Sequence, residues 1–133
     1  MAHLTLEYSA NLRAGGDFPG LCRKLAAAMA AQRDGDRPVF PVGGIRVRAI
    51  PCDAYCIADG APDAGFVHAI LKMGAGRSAA VRKATGDALF AVLQQHFAAQ
   101  YAAQGLALSL ELSEFSEAGT WKHNNLHARF RKG

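Results

Sequence analysis

Two segments of this 133-residue chain carry the same succession of hydrophobic patterns, in the order strand, helix, strand. The first copy spans about residues 1–57 and the second about residues 63–115. In each copy, apolar residues alternate, then recur at helical spacing, and then alternate again. A helical crossover between two strands of one sheet makes those strands parallel. The repeat therefore predicts an α/β fold (α+β in some schemes), in which tandem β-α-β units form a mixed four-stranded sheet with two helices on one face.

The first copy opens with a predicted strand over His3–Ser9, and Asp17 is the expected N-cap of the helix that follows. A second strand over Gly44–Ile50 carries Arg46 and Arg48 on the same side. The helix between these strands presents one continuous stripe, which consists of Phe18, Leu21, Cys22, Leu25, Ala28, Met29 and Gln32.

The second copy follows a predicted loop over residues 51–65 and begins with a strand over Phe66–Met73. Ser78 is the expected N-cap of a single long helix that reaches Tyr101. Leucines at every second position over residues 106–112 predict the fourth strand. A short terminal strand is predicted by the alternation of Leu126, Ala128 and Phe130.

The predicted layers leave one face of the sheet without a cover. Both helices lie on the same face, and the sequence offers no third long helix for the other. We therefore expect an oligomer in which another subunit covers the second face. The residues expected to be buried in that contact are Leu4, Leu6, Leu108 and Leu110.

Composition and charge restrict the classes of function. Hydrophobic residues make up 50% of the chain and charged residues 20%, which is typical of a globular protein and indicates one domain over residues 1–133. A net charge of +4 permits nucleic-acid binding without demanding it, and it also suits a small polyanionic substrate. The sequence contains no apolar run of the roughly 20 residues that span a membrane, and no export leader is recognisable. We expect a cytoplasmic protein with three reduced cysteines.

The glycine-rich turn Gly74-Ala75-Gly76-Arg77-Ser78-Ala79 lies between a predicted strand and a predicted helix. This context suits a dinucleotide-binding turn, but positions 94–99 lack the acidic residue that would bind the ribose. A smaller anion site is the better hypothesis, because backbone N–H groups and the Arg77 guanidinium would converge there. The alternative is an ordinary turn with a solvated arginine.

Two further patterns have competing interpretations. Arg46 and Arg48 would either bind carboxylates bidentately or lie on the solvent-facing side of an edge strand. Cys52-x3-Cys56 and His123-x3-His127 have ligand-like spacing, but the gap between the two pairs far exceeds that of a zinc finger. We therefore expect no metal site.

The opening strand and a polar segment near the end also have two interpretations each. A terminal α-amine fixed by a strand has an ordinary pKa of about 7.7–8.0, so it would serve as a base near neutral pH. Alternatively, the strand simply starts early. The polar segment Lys122–Asn125 would contact either a ligand or a neighbouring subunit.

An ordered set of motifs runs essentially from end to end of the chain. The motifs are the opening strand with Glu7, Phe40-Pro41-Val42-Gly43-Gly44-Ile45-Arg46, Ala58-Asp59-Gly60, Phe66-Val67-His68, Leu71-Lys72-Met73-Gly74-Ala75-Gly76-Arg77-Ser78 and Lys122-x-Asn124-Asn125-x-His127-Ala128. Together they resemble the 5-carboxymethyl-2-hydroxymuconate isomerase family of the tautomerase superfamily.

The resemblance implies a homotrimer whose sheets line its interior, with active sites near the subunit boundaries. It also implies isomerisation without metal or cofactor, converting 5-carboxymethyl-2-hydroxymuconate to 5-carboxymethyl-2-oxohex-3-ene-1,6-dioate in homoprotocatechuate catabolism. Arg46 and Arg77 match arginines of the family's active site. They would bind substrate carboxylates and stabilise the developing dienolate, with Arg48 as a third substrate-binding candidate. No nucleic-acid or membrane partner is expected.

The chain departs from the family at the position of the catalytic base. The family uses an N-terminal proline that becomes exposed when the initiator Met is removed, and this chain has Ala2 there. Alanine is small enough for Met removal, which would leave a primary amine as a different base. If Met1 is retained, the nitrogen of Ala2 is an amide and cannot act. The alternative function is therefore a non-catalytic anion-binding homologue that has lost the base, and a nucleic-acid binder is the third hypothesis.

Overall fold

The computed structural model of the chain describes residues 1–130. The strands are β1 (Ala2–Ser9), β2 (Arg33–Asp34), β3 (Arg37–Pro38), β4 (Ile45–Cys52), β5 (Gly65–Gly74) and β6 (Leu106–Phe115). The helices are α1 (Phe18–Ala30), α2 (Ala79–His96), α3 (Ala98–Ala103) and α4 (Leu126–Phe130). Single 3-10 turns lie at Ala10–Leu12, Val42–Gly44 and Glu117–Gly119. Among these described residues, no helix has the length and apolar character needed to cross a membrane.

The main sheet has four strands in the order β4-β1-β5-β6. β1 is parallel to β4 and β5 is parallel to β6, whereas β1 and β5 are antiparallel. Each parallel pair is joined through a helix, as a crossover requires. The predicted mixed four-stranded sheet of tandem β-α-β units is therefore confirmed.

Both long helices pack on one face of the sheet, and the hydrophobic core lies between them. α1 lies against β4, α2 lies against β6, and the two helices contact each other. The fully buried side chains from strands and helices include Leu4, Leu6, Val67, Ala69, Leu71, Met73, Leu21, Leu25, Met29, Leu89, Leu93 and Phe97. The prediction of two helices on one face is confirmed.

The leucines that were expected on the uncovered face lie instead on the helix side. Leu4 and Leu6 are 0% exposed in the single chain, and Leu108 and Leu110 pack against the same core. Side chains alternate along a strand, so one set of leucines serves only one face. The open face carries the intervening residues, which are mostly polar: His3, Thr5, Glu7, Arg46, Arg48, His68, Ile70, Lys72, Ser109 and Glu111.

Both predicted helix N-caps are confirmed. The Asp17 carboxylate accepts a hydrogen bond from the Gly20 backbone N–H at 3.1 Å, and the Ser78 hydroxyl accepts one from the Val81 N–H at 3.2 Å. Each cap satisfies a backbone donor that has no partner inside the helix. Asp17 adopts the left-handed region at φ 43°, which aspartate tolerates better than most residues.

The predicted long helix to Tyr101 is interrupted at Phe97. This residue has φ −102° and ψ 16°, so α2 ends at His96 and α3 begins at Ala98. The Phe97 ring is fully buried beside Phe18, with ring centroids 5.8 Å apart. The apolar stripe is continuous across the interruption, and for that reason the periodicity did not reveal it.

The predicted terminal strand at Leu126, Ala128 and Phe130 is wrong, because the structure forms helix α4 there. The Asn124 side chain accepts a hydrogen bond from the Leu126 N–H at 2.6 Å, which starts the turn. α4 then packs against the Val42–Gly44 turn, where a Cβ added to Gly43 would lie 2.7 Å from the His127 nitrogen. The small β2–β3 hairpin was not predicted, and β4 runs two residues beyond its predicted end at Ile50.

Candidate functional site

Four segments of the chain meet at one edge of the main sheet. β1 and β4 begin at this edge and β5 and β6 end there, because β1 runs parallel to β4 and antiparallel to β5. We call it the site edge. It brings together Met1 before β1, Arg46 in β4, Arg77 after β5, and Glu117 and Lys122 after β6.

The N-terminal residues are held tightly at the site edge. Ala2 is 1% exposed and pairs with Ile45 on one side and Met73 on the other. Gly44 allows the close approach, since a Cβ there would lie 3.2 Å from the Met1 Cα and 3.3 Å from its nitrogen. A small enclosed pocket surrounds this point and is lined by Met1, Ala2, Phe40, Pro41, Gly44, Gly74 and Arg77.

The environment of the Met1 amine lowers its pKa below the ordinary 8.0. Burial is the largest cause, because desolvation penalises the charged form. The positive charges of Lys122, Arg77 and Arg46 act in the same direction, whereas the carboxylate of Glu117 opposes them. An amine in this position therefore has an increased neutral fraction near neutral pH, which is the form that accepts a proton.

Arg77 is fixed by backbone contacts rather than by an acidic partner. Its Nη2 donates to the Val39 carbonyl at 2.7 Å and its Nη1 to the Gly74 carbonyl at 3.3 Å. Gly76 has φ +114°, a backbone conformation that residues with a side chain rarely adopt. This conformation lets the chain turn between β5 and α2. These hydrogen bonds orient the guanidinium. They do not neutralise its positive charge, because both acceptors are uncharged carbonyl groups.

Arg46 lies half-buried at the start of β4, and its Nη1 is 3.4 Å from the Gly44 carbonyl. Its side chain lines a pocket of about 360 Å³ together with residues of the segment that precedes α4 and the first residue of that helix: His123, Asn124, Asn125 and Leu126. The polar segment that was expected to contact a ligand or a subunit therefore lies beside Arg46, and it supplies amide groups that can hydrogen-bond a carboxylate.

Arg48 does not join this group. Its Nη1 lies 3.1 Å from Nδ1 of His3 on the open face of the sheet. Arg48 is two residues further from the site edge than Arg46. Burial, followed by the charges of Arg48 and Arg46, lowers the pKa of His3 below 6.5. The structure thus places Arg46 and Arg77 near the N-terminus and leaves Arg48 two residues further along the same open face.

Two charged residues after β6, Lys122 and Glu117, also lie at the site edge. Neither was predicted from the sequence to be a site residue. The Lys122 ammonium forms an ion pair with the Glu117 carboxylate at 2.9 Å, and this contact lowers the pKa of Glu117. From sequence, Lys122 belonged to a polar segment and to one of the family motifs without a role of its own, and Glu117 was not considered. Their position directly after the last strand was the available signal, since that strand ends at the same edge as β5.

The two pairs with metal-like spacing lie at opposite ends of β4. Cys52 ends that strand, whereas His127 packs beside Gly43 and Gly44 before its start. Within residues 1–130, no three His, Cys, Asp or Glu side chains are grouped in a way that would hold a metal ion.

A sequence model of the 5-carboxymethyl-2-hydroxymuconate isomerase family matches residues 2–130. The chain is 40% identical over 131 residues to the 5-carboxymethyl-2-hydroxymuconate Delta-isomerase of Escherichia coli, covering 98% of this chain and 100% of that protein. It is 56% identical to the crystal structure of a 5-carboxymethyl-2-hydroxymuconate isomerase from Deinococcus radiodurans R1, with a TM-score of 0.89 and coverage of 98% and 95%. A crystal structure of a 5-carboxymethyl-2-hydroxymuconate delta-isomerase is 38% identical, with a TM-score of 0.92 and coverage of 100% and 95%.

More distant structures share the fold alone. One is a fused 4-OT protein described as a symmetric trimer, which is 13% identical with a TM-score of 0.59 and coverage of 95% of this chain and 98% of that one.

Proposed function

The chain belongs to the 5-carboxymethyl-2-hydroxymuconate isomerase family, and we propose that it catalyses the reaction for which this family is named. The observation that supports this assignment is the position of the N-terminus: Ala2 is held between two strands beside Gly44 and Arg77, and the charges of Lys122, Arg77 and Arg46 lower the pKa of the amine that precedes it. Such a site holds a polycarboxylate and moves a proton, which are the two requirements of the isomerisation. We further propose that the chain acts as a single domain in cytoplasmic homoprotocatechuate catabolism.

The reaction is a proton transfer with no net change in atoms. The 2-hydroxyl group of the dienol loses its proton, the electron pair forms the 2-oxo group, the double bonds shift, and a proton is added at C5. Arg46 and Arg77 would bind carboxylates of the substrate. Their fixed positive charges would also stabilise the dienolate, because they lie at the site before the reaction begins.

We assign the base to the α-amine of Ala2 after removal of Met1. While Met1 is present, the nitrogen of Ala2 is an amide, and Met1 occupies the space beside Gly44 and Arg77. Removal of Met1 would open this pocket without moving Ala2, which is held by both neighbouring strands. A primary amine would then stand where the resembled family has a proline.

We propose that the assembled enzyme is a homotrimer. The open face of the sheet is uncovered in the single chain and carries Ile50, which is 45% exposed, alongside the half-buried Ile70. A symmetric trimer occurs among proteins that share the fold. Contacts between subunits would cover this face, as a two-layer domain with one exposed sheet face requires.

The test is spectroscopic isomerisation of 5-carboxymethyl-2-hydroxymuconate by the Met1-free chain, with an Ala2→Pro version as the reference for the family's base. We expect turnover by both, faster in the proline version. The competing function, a non-catalytic anion-binding homologue, is favoured by the substitution at Ala2 alone. It would be supported, and the isomerase proposal rejected, if both chains bound the tricarboxylate without turnover.

A further inference from the structure

The proposed substrate carries three carboxylates, and of the three arginines that the sequence suggested for it, the structure places Arg46 and Arg77 at the site edge. Arg48, the third candidate from the sequence, lies against His3 on the open face. We propose that Lys122 binds the third carboxylate and that Glu117 holds the Lys122 ammonium while no substrate is present. The inference rests on the proposed function, because it assigns the third anion-binding group of that same site.

Lys122 and Arg77 reach the same part of the site edge. The Lys122 Nζ is 2.9 Å from Oε2 of Glu117. The other carboxylate oxygen of Glu117 lies 3.5 Å from the position that a Cβ on Gly74 would occupy, and Nη1 of Arg77 lies 3.3 Å from that position. Gly74 and Arg77 also line the pocket around Met1 and Ala2. The Glu117 carboxylate thus bonds the Lys122 ammonium through one oxygen, and its other oxygen lies near the turn that carries Arg77.

The Glu117 carboxylate is suited to be replaced by a ligand. Its side chain is 68% exposed, whereas that of Lys122 is 36% exposed. An exposed ion pair contributes little to stability, because water solvates both partners well. Glu117 can therefore swing into solvent when a substrate carboxylate arrives, and the Lys122 ammonium exchanges one carboxylate partner for another.

The charge of Lys122 also acts on the N-terminal amine. Among the charged groups it makes the largest contribution to lowering the pKa of the Met1 amine. The other titratable or charged groups near this amine come from every neighbouring element: Arg46 of β4, Arg77 before α2, His3 of β1, Glu117 after β6 and His127 of α4. Loss of the Lys122 charge should therefore raise the pKa of the amine as well as weaken binding.

The experiment is isothermal titration calorimetry with two unreactive probes, propane-1,2,3-tricarboxylate and pentanedioate, on the otherwise complete chain from which Met1 has been removed. Lys122→Gln should weaken the tricarboxylate about 10-fold or more and the dicarboxylate less than about 2-fold. Lys122→Arg should restore most of the tricarboxylate affinity. Glu117→Gln should tighten tricarboxylate binding, because the internal competitor is gone. Lys83→Gln, which removes one positive charge from an exposed position on α2, is the matched control and should change neither affinity.

The measured quantity is the ratio of tricarboxylate affinity to dicarboxylate affinity. If this ratio is unchanged in Lys122→Gln, the inference is overturned. It is also overturned if the ratio falls in Arg48→Gln but not in Lys122→Gln. The dicarboxylate affinity reports whether each variant is folded. Turnover by the Met1-free chain is measured separately, so the two proposals can fail independently. If the chain isomerises its substrate and Lys122→Gln keeps the ratio, only the assignment of Lys122 fails. If Lys122→Gln loses the ratio and no chain turns over, only the proposed function fails.

Discussion

Arg77 owes its orientation to contacts that involve no substrate. Two backbone carbonyls, those of Val39 and Gly74, accept from its guanidinium and leave the charge free for an anion. Lysine carries the same charge on a flexible stem and cannot reproduce this planar fork of donors. The position therefore demands arginine for geometry rather than for charge alone.

Arg77→Lys should lower kcat/KM for the isomerisation by about 10²–10³-fold, the usual effect of losing one oriented transition-state contact. Steady-state kinetics would measure the change. Arg23→Lys, an exposed position on α1, is the control and should have no effect. A rate within a few-fold of the unmodified chain for Arg77→Lys would contradict the role assigned to this guanidinium.

The pKa of the N-terminal amine can be tested directly on the chain that retains Met1. Burial and three cations favour the neutral form, so the amine should titrate below pH 8.0. As pH rises through that pKa, the proton is lost and the neutral fraction increases. High salt screens the contributions of Lys122, Arg77 and Arg46 but leaves burial unchanged. The pKa should therefore move part of the way back towards 8.0, and NMR titration of the isotopically dimethylated amine would follow it. A pKa at or above 8.0 at low salt would contradict the described environment.

The sequence made Arg46 and Arg77 candidates for anion binding through residue type, strand position and a glycine-rich turn, and the family resemblance matched both to arginines of the family's active site. Glu117 escaped notice because its local context is that of an ordinary turn after a strand. Its significance depends on which strand ends meet in space, and this is a property of the sheet order rather than of local spacing.

At the level of elements, the helix N-caps and strand alternation were predictable, whereas α4 was not. Its segment alternates in a manner typical of a strand, but Asn124 caps a helical turn and Gly43 leaves room for its backbone. Tertiary contacts therefore outweigh the local pattern in this short segment. At the interruption between α2 and α3, the Phe97 ring is likewise fully buried in the core.

The docking of α4 depends on the space that Gly43 leaves because it has no side chain. A Cβ there would lie 2.7–2.9 Å from backbone atoms of His127 and Leu126, which cannot move aside independently. Gly43→Ala should displace α4, accelerate hydrogen exchange over residues 126–130 and weaken the pocket beside Arg46. Gly86→Ala is the matched control, since nothing lies near its Cβ in the interior of α2, and it should stabilise the fold by about 0.5–1 kcal/mol in urea titrations. Unchanged exchange over 126–130 in Gly43→Ala would show that α4 does not depend on this contact.

For the whole molecule, the open face of the sheet raises the question of assembly. One face of the sheet is uncovered, as the sequence predicted. The leucines assigned to that face lie on the other one, because alternation in the sequence does not reveal which of the two alternating sets faces the helices. The face is mostly polar, but it carries Ile50 on the edge strand β4 and Ile70 in its middle, between Thr5 and Glu111.

Sedimentation velocity should give a mass three times that of the 14.1 kDa chain. Ile70→Glu should reduce it to that of a monomer, because the new carboxylate would lie beside Glu111 and be buried between subunits. Ala27→Glu, an exposed position on α1 at the opposite face, should leave the trimer intact. A monomer at micromolar concentration for the unmodified chain would reject the assembly.

We propose that a free amine at Ala2, near Arg46 and Arg77, makes this chain an isomerase. The most direct measurement compares two chains released from the same fusion by cleavage immediately before Met1 or immediately before Ala2, with both termini verified by intact mass. We expect that only the chain beginning at Ala2 isomerises 5-carboxymethyl-2-hydroxymuconate, and that acetylation of its amine abolishes the activity. Equal rates for the two chains, or full activity after acetylation, would contradict it.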